Sequence, residues 1–157
     1  MNKRLKIYLD TSVISALFDR RSPEMMKWTE EFWETIDKYE AYISDVVITE
    51  IQETPDTELK ESMSKALKNL SQLEVDKNAE KLSREYVYYG AVPPKYRKDA
   101  LHIAIATMNH IEILVSWNYR HIVRRRTKEI IRMVNSLYNY PLLEIVAPPE
   151  LLGGEEI

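Results

Sequence analysis

The sequence predicts an α/β protein, a three-layer α/β/α sandwich around a central parallel sheet of about four to five strands. Three observations predict it. Short apolar runs suited to strands alternate with longer segments of helical periodicity, the order of βαβ units. The segment 95–110 carries Ala100, Leu101, Ile103, Ala104, Ile105 and Ala106 and leaves almost no polar face, so it belongs against a sheet. The chain is 157 residues long and 45% hydrophobic, enough for a real core in one domain.

The elements follow in order. Residues 7–9 read as a short buried strand and residues 11–18 as a helix, with Val13, Ile14 and Leu17 at helical spacing. Ser22-Pro23-Glu24 is a helix start, and Met25, Trp28, Phe32, Trp33 and Ile36 form the apolar stripe that follows. Residues 41–44 read as the second strand and 46–52 as a short helix, broken at Thr54-Pro55-Asp56. An amphipathic helix spans 57–70, and residues 73–75 offer a third strand. Asp76 caps a helix that Gly90 terminates, and Val92-Pro93-Pro94 is a rigid loop. The buried helix 95–110 leads to a fourth strand at 112–116, a basic helical stretch at 119–136 and a fifth strand at 143–146. Residues 1–149 thus read as a single domain and 150–157 as a C-terminal tail.

Composition narrows the function. Without cysteine the chain has no disulfide and no thiolate metal site, and a reducing, cytoplasmic setting fits. The first residues lack the apolar core of a signal peptide, and no stretch approaches the ~18 apolar residues of a membrane span. The only glycines are Gly90, Gly153 and Gly154, which leaves no dinucleotide fingerprint and no P-loop. Net charge is −3, yet its distribution is uneven. Lys95, Arg97 and Lys98 cluster before Asp99, and Arg120, Arg124, Arg125, Arg126, Lys128 and Arg132 crowd the segment 120–132. Charge placement, more than the sum, decides whether a polyanion binds.

Acidic residues stand where apolar sequence meets a turn or helix start. Asp10 ends Lys6-Ile7-Tyr8-Leu9-Asp10, Glu50 closes the segment 42–50, and Asp99 opens the buried helix. Parallel topology brings the carboxyl ends of distant strands to one crevice, where ligands bind. Asn118, just after the fourth strand, reaches the same edge. Singly, each has a plain structural reading: Asp10 as a helix cap, Glu50 as a solvated helix residue, Asp99 as a first-turn acid, Asn118 as a turn residue. Together they form a hard oxygen donor set suited to Mg²⁺ or Mn²⁺, whose natural substrate is a phosphoester. Thr11, Ser12 and Ser116 stand beside them as supporting residues.

Four pieces in this order, Leu9-Asp10-Thr11-Ser12-Val13, Thr49-Glu50-Ile51, Asp99-Ala100-Leu101-His102-Ile103-Ala104 and Ser116-Trp117-Asn118-Tyr119-Arg120-His121-Ile122, resemble the PIN-domain family of metal-dependent nucleases. The resemblance runs along nearly the whole chain. It implies a PIN-like α/β/α fold and Mg²⁺- or Mn²⁺-dependent RNA hydrolysis by a metal-activated water. Ribonuclease toxins of VapC-type toxin–antitoxin pairs look most similar. The resemblance carries a catalytic and metal-binding role onto Asp10, Glu50, Asp99 and Asn118. Many family members have Asp at the last position; an Asn supplies an oxygen without a charge, so a second ion would be held more weakly, and the resemblance leaves one-metal and two-metal sites both open.

Lys95, Arg97, Arg120 and Arg124 are the expected RNA contacts. His102 follows Asp99 on nearly the same helix face and reads either as a general base or as a hydrogen-bonded structural residue. Trp117 reads as a base-stacking or a packed side chain. Aromatic and Met side chains in excess of one core suggest a homodimer or a groove for a protein antitoxin. Two rivals remain. A catalytically weak or inactive PIN-fold module that binds RNA or protein draws support from Asn118. An aspartyl-phosphate phosphatase needs a second Asp where Ser12 stands.

Overall fold

Burial of Ile7, Leu9, Ile43, Leu114, Val115 and Ile145 draws four short strands into one sheet, and a fifth pairs at its edge. The computed structural model describes residues 3–153. The strands are β1 (Lys6–Leu9), β2 (Glu40–Ser44), β3 (Ser71–Leu73), β4 (Ile113–Val115) and β5 (Glu144–Val146). All pair in parallel in the order β3-β2-β1-β4-β5. The helices between them are α1 (Thr11–Ala16), α2 (Pro23–Glu34), α3 (Asp45–Gln52), α4 (Thr57–Ala66), α5 (Lys77–Tyr88), α6 (Arg97–Met108) and α7 (Arg125–Leu137). Helices α1–α4 pack among themselves, as do α5–α7. Right-handed crossovers put the two sets on opposite faces, giving the expected three layers.

Strand order reverses between β1 and β4, the switch point where a crevice opens in such sheets. Register aligns their ends: Leu9 pairs with Val115, so Asp10 and Ser116 follow side by side. Helix α6 is apolar nearly all round, and Ala100, Ile103, Ala104, Ile105 and Ala106 are fully buried, as its sequence predicts. Among the described residues no helix is long and apolar enough to cross a membrane.

Several elements depart from the sequence reading. Strand β3 lies at Ser71–Leu73, two residues earlier than expected. It is a polar edge strand, held by pairing of Tyr42, Ile43 and Ser44 with Ser71, Gln72 and Leu73 rather than by burial. Asp45 accepts from Gln72 Nε2 and from Val75 N, which draws the chain beyond Leu73 off the ladder. Helix α4 ends at Ala66, and α6 begins at Arg97 after a tight turn at Pro94–Tyr96. Helix α7 begins only at Arg125, because Asn118 winds the preceding residues into a loop. Its carbonyl accepts from Ile122 N and Val123 N, and its Oδ1 accepts from His121 N.

The expected tail is also shorter. Pro148–Leu151 forms a tight turn against α2, and Leu151 and Leu152 pack on the core. Residues 154–157 lie outside the described residues. Of the aromatic side chains expected in excess, Tyr86 is buried and bonded to Thr107 and Asn135, whereas Tyr88 faces solvent.

The start of α7 is tied to the loop before it. Buried Thr127 donates its hydroxyl to the carbonyls of Ala91 and His121, and accepts from Arg124 Nε. Gly90, which ends α5 at φ +87°, approaches the same helix: a Cβ there would stand 3.3 Å from Arg126 Nη2.

Candidate active site

Asp10 extends β1 by one residue, its amide donating to Val115 O at 3.4 Å. It occupies the N-cap position of α1, yet its side chain makes no cap bond. The carboxylate is turned instead toward two hydroxyls. Ser12 Oγ donates to Oδ1 at 2.5 Å and Ser116 Oγ donates to Oδ2 at 2.6 Å. Each serine is itself oriented by the loop after β4: Trp117 N donates to Ser12 Oγ, and Asn118 N donates to Ser116 Oγ. The helix-cap reading of Asp10 is thereby excluded, and both expected supporting serines touch it. Asp10 is only 4% exposed. Burial pushes its carboxyl above the ordinary range, and the charge of His102 and the two serine bonds only partly offset this.

Glu50 comes from α3, which Ser44 caps by accepting from Val46 N. Its Oε1 accepts from Thr11 Oγ1 at 2.5 Å and lies 2.9 Å from His102 Nε2. Burial pushes the Glu50 carboxyl up, but the hydrogen bond and charge of His102, helped by Thr11 and Lys98, outweigh burial and hold it below the usual value. The reciprocal holds for His102. Burial lowers its basicity, while the Glu50 bond and the charges of Asp10, Glu50 and Asp99 raise it further, for a net rise. Behind His102, Nδ1 lies 2.7 Å from Tyr8 Oη, and Tyr8 Oη lies 2.7 Å from Ser44 Oγ.

Asp99 stands in the first turn of α6. Its Oδ2 lies 3.2 Å from His121 Nδ1, and the Asn118 side chain hydrogen-bonds it as well. Because Asn118 Oδ1 already accepts from His121 N, the amide nitrogen is the group that donates to Asp99. Burial pushes the Asp99 carboxyl up, against the lowering charge of His102 and the bonds from Asn118 and His121. The His121 ring stacks on Tyr96, centroids 4.0 Å apart.

All four expected site residues therefore reach one sheet edge. Electrostatics reflects the convergence: the charge of Asp99 raises the proton affinity of Asp10, and His102 feels all three acids. Among the described residues, however, no three acidic or histidine side chains form a group drawn close enough to hold a metal ion. Both Asp10 oxygens, Glu50 Oε1 and Asp99 Oδ2 are engaged by serine, threonine and histidine side chains.

Lys95, Arg97 and Arg120 face solvent beside this edge. Arg124 is turned inward, its guanidinium donating to Thr127 Oγ1 and Ala91 O. Trp117 is packed, donating Nε1 to Thr29 Oγ1, and the exposed rings are its neighbour Tyr119, at 56%, and Tyr96, at 36%. Sequence reasoning missed Tyr8 and Ser44. A phenol two residues before Asp10 on an otherwise aliphatic strand, and a serine ending β2 as Asp10 ends β1, are the signals that could have found them.

The fold and this acid-lined crevice define an open parallel α/β protein with its candidate site at the strand switch point. The family follows from the sequence itself. The PIN domain matches residues 7–126, and the chain belongs to that family. Its structure is similar to VapBC2 from Rickettsia felis bound to a DNA fragment from its promoter, with a TM-score of 0.56 at 13% identity, covering 91% of this chain and 98% of that one. DNA-bound VapBC from Salmonella typhimurium gives 0.53 at 16% identity, over 92% and 98% of the two chains. Mycobacterium tuberculosis VapC20, a sarcin–ricin loop cleaving toxin, gives 0.54 at 16% identity, over 73% and 92%. Among curated proteins, none matches the chain significantly in sequence.

Proposed function

We propose that this protein is a metal-dependent ribonuclease that hydrolyses RNA phosphodiester bonds, and that it is the toxin of a type II toxin–antitoxin pair. The observation that carries the reading is the gathering of Asp10, Glu50 and Asp99 around buried His102 at the switch point between β1 and β4. Membership of the PIN family supports it. Two of the similar structures are toxin–antitoxin assemblies, which supports a protein antitoxin as partner here. A second copy of the chain is the other proposed partner.

The donor chemistry fits Mg²⁺ or Mn²⁺. Mg²⁺ commonly binds through only one or two carboxylates, keeps several waters and takes its remaining oxygens from substrate phosphates. A preformed three-acid cage is therefore not required. Asp10, Glu50 and Asp99 would hold the ion; once bound, it supplies a Lewis acid for the phosphoryl oxygen and acidifies water. Ser12 and Ser116 orient Asp10, Thr11 orients Glu50, and Asn118 acts on Asp99 through its amide nitrogen. Lys95, Arg97 and Arg120 meet the phosphates, while Tyr96 and Tyr119 offer ring faces to unpaired bases.

The test is RNA cleavage with Mg²⁺ or Mn²⁺ by the parent, Asp10→Asn and Asp99→Asn. Both variants are expected to lose at least about 100-fold in rate, since removing one group that acts on the transition state costs about that much. Cleavage at the parent rate by either would sink the reading. The absence of a ready three-acid group among the described residues favours one alternative, a catalytically weak or inactive RNA- or protein-binding module. Absence of Mn²⁺ uptake in calorimetry at millimolar concentration would establish that alternative.

A further inference from the structure

We infer that His102 is a positioning residue: braced from behind by Tyr8 and Ser44, it fixes the Glu50 carboxylate in the orientation from which Glu50 engages a divalent cation. This rests on the nuclease reading and assigns a task to a residue that reading leaves unused.

The geometry excludes a free general base. His102 is 2% exposed, and both ring nitrogens are engaged, Nε2 with Glu50 Oε1 at 2.9 Å and Nδ1 with Tyr8 Oη at 2.7 Å. Tyr8 is fully buried and also lies 2.7 Å from Ser44 Oγ. Ser44 is fixed in turn, because its Oγ accepts from Val46 N and caps α3, the helix that carries Glu50. The chain of contacts closes on itself: from α3 through Ser44 to Tyr8 on β1, to His102 on α6, and back to Glu50 on α3. Three elements from both faces of the sheet are locked to one carboxylate oxygen. Thr11 Oγ1 donates to the same Oε1. Two partners thus converge on Oε1, and Oε2 is the oxygen left for a cation.

A glutamate on the surface of a short helix would otherwise sample many rotamers, and ordering a long flexible side chain costs about 1.5–2 kcal/mol. A ring clamped at both nitrogens removes that cost before the ion arrives. Outer partners of this kind typically govern metal affinity by about 10–100-fold.

The experiment measures Mn²⁺ affinity, by electron paramagnetic resonance of the free ion, for the parent, His102→Leu, His102→Gln, Tyr8→Phe and Asp10→Asn. Circular dichroism verifies folding. His102→Leu is expected to bind Mn²⁺ about 10–100-fold more weakly. His102→Gln, whose amide can still donate to Glu50, should recover part of that loss. Tyr8→Phe, a single-oxygen deletion that keeps the core filled, should weaken binding by a few-fold. If His102→Leu does not fold, His102→Gln and Tyr8→Phe decide the matter: parental affinity in both overturns the inference. Parental affinity in folded His102→Leu also overturns it, as does a loss in His102→Leu that His102→Gln does not recover at all. A parent that takes up no Mn²⁺, like Asp10→Asn, would defeat the nuclease reading and this inference with it. A parent that binds while His102→Leu matches it defeats this inference alone.

Discussion

Asp10 and Glu50 are carboxylates at the same edge of the same sheet, and they are held in opposite ways. Asp10 is gripped by two neutral hydroxyls, those of Ser12 and Ser116, in a place too buried for solvent to help. Glu50 meets an imidazole and a threonine hydroxyl. At Asp10 the charge of His102, felt without a hydrogen bond, and the two serine hydroxyls do not offset desolvation, so its carboxyl sits above the ordinary range; at Glu50 the directly bonded histidine outweighs desolvation, so its carboxyl sits below. The difference teaches that a charge-bearing donor in direct hydrogen bond does more for a buried acid than neutral hydroxyls and a charge that makes no bond. Ionising Asp10 costs stability, which is what one expects of a group kept for a ligand that brings its own positive charge.

The sharpest way to break this comparison is to neutralise each acid in turn. Glu50→Gln removes the charge that His102 faces and weakens their hydrogen bond, and is expected to cost about 2 kcal/mol, the scale of a hydrogen bond to a charged group. Asp10→Asn removes a buried charge whose desolvation its neighbours do not offset, and is expected to melt at or above the parent temperature in the absence of metal. Thermal melts of the two metal-free variants measure this; the same direction of change in both would dissolve the contrast.

A second measurement uses pH. The folded value of His102 is raised, so its stabilisation is complete below the ordinary histidine value of about 6.5 and fades as pH rises through the higher folded value. The folded value of Glu50 is lowered, so its contribution is present above the ordinary value and is lost as pH falls through the lower one. Asp10 and Asp99 are raised, so the stability their ionisation costs returns as pH falls. Metal-free protein should therefore melt highest in mildly acidic buffer and lose stability as pH rises through the raised value of His102, with a weaker alkaline decline in Glu50→Gln. Mn²⁺ affinity should run the other way, weakening on acidification at a pH above the ordinary aspartate range, because Asp10 and Asp99 must give up their protons to bind.

The smallest effect isolates Thr11. Thr11→Val leaves the His102 bond to Glu50 and removes only the hydroxyl, and should cost about 1 kcal/mol in a denaturant titration.

Much of this was legible in the sequence. Continuous apolarity in the segment 100–106 announced a buried helix, and alternation of short strands with helices announced a parallel sheet. Asp10, Glu50 and Asp99 were found because each stands where an apolar run meets a turn or helix start. What escaped depended on contacts between distant segments. Nothing local says that Tyr8 on β1 meets His102 ninety-four residues later, because that pairing is made by packing of α6 on the sheet. The position of β3 escaped because an edge strand is fixed by its neighbour's backbone and carries no apolar signature of its own. The loop before α7 escaped because basic residues continue helical periodicity through it, while the Asn118 side chain and carbonyl take the amides that a helix would have used.

One hydroxyl at the foot of the basic helix has a wider reach than its size suggests. Thr127 clasps the His121 carbonyl on one side and the Ala91 carbonyl on the other. It works as a rivet through three strips of chain: the turn after α5, the loop after β4 and the first turn of α7. Removing that hydroxyl would free the segment that sets the imidazole against Asp99 from both of its neighbours.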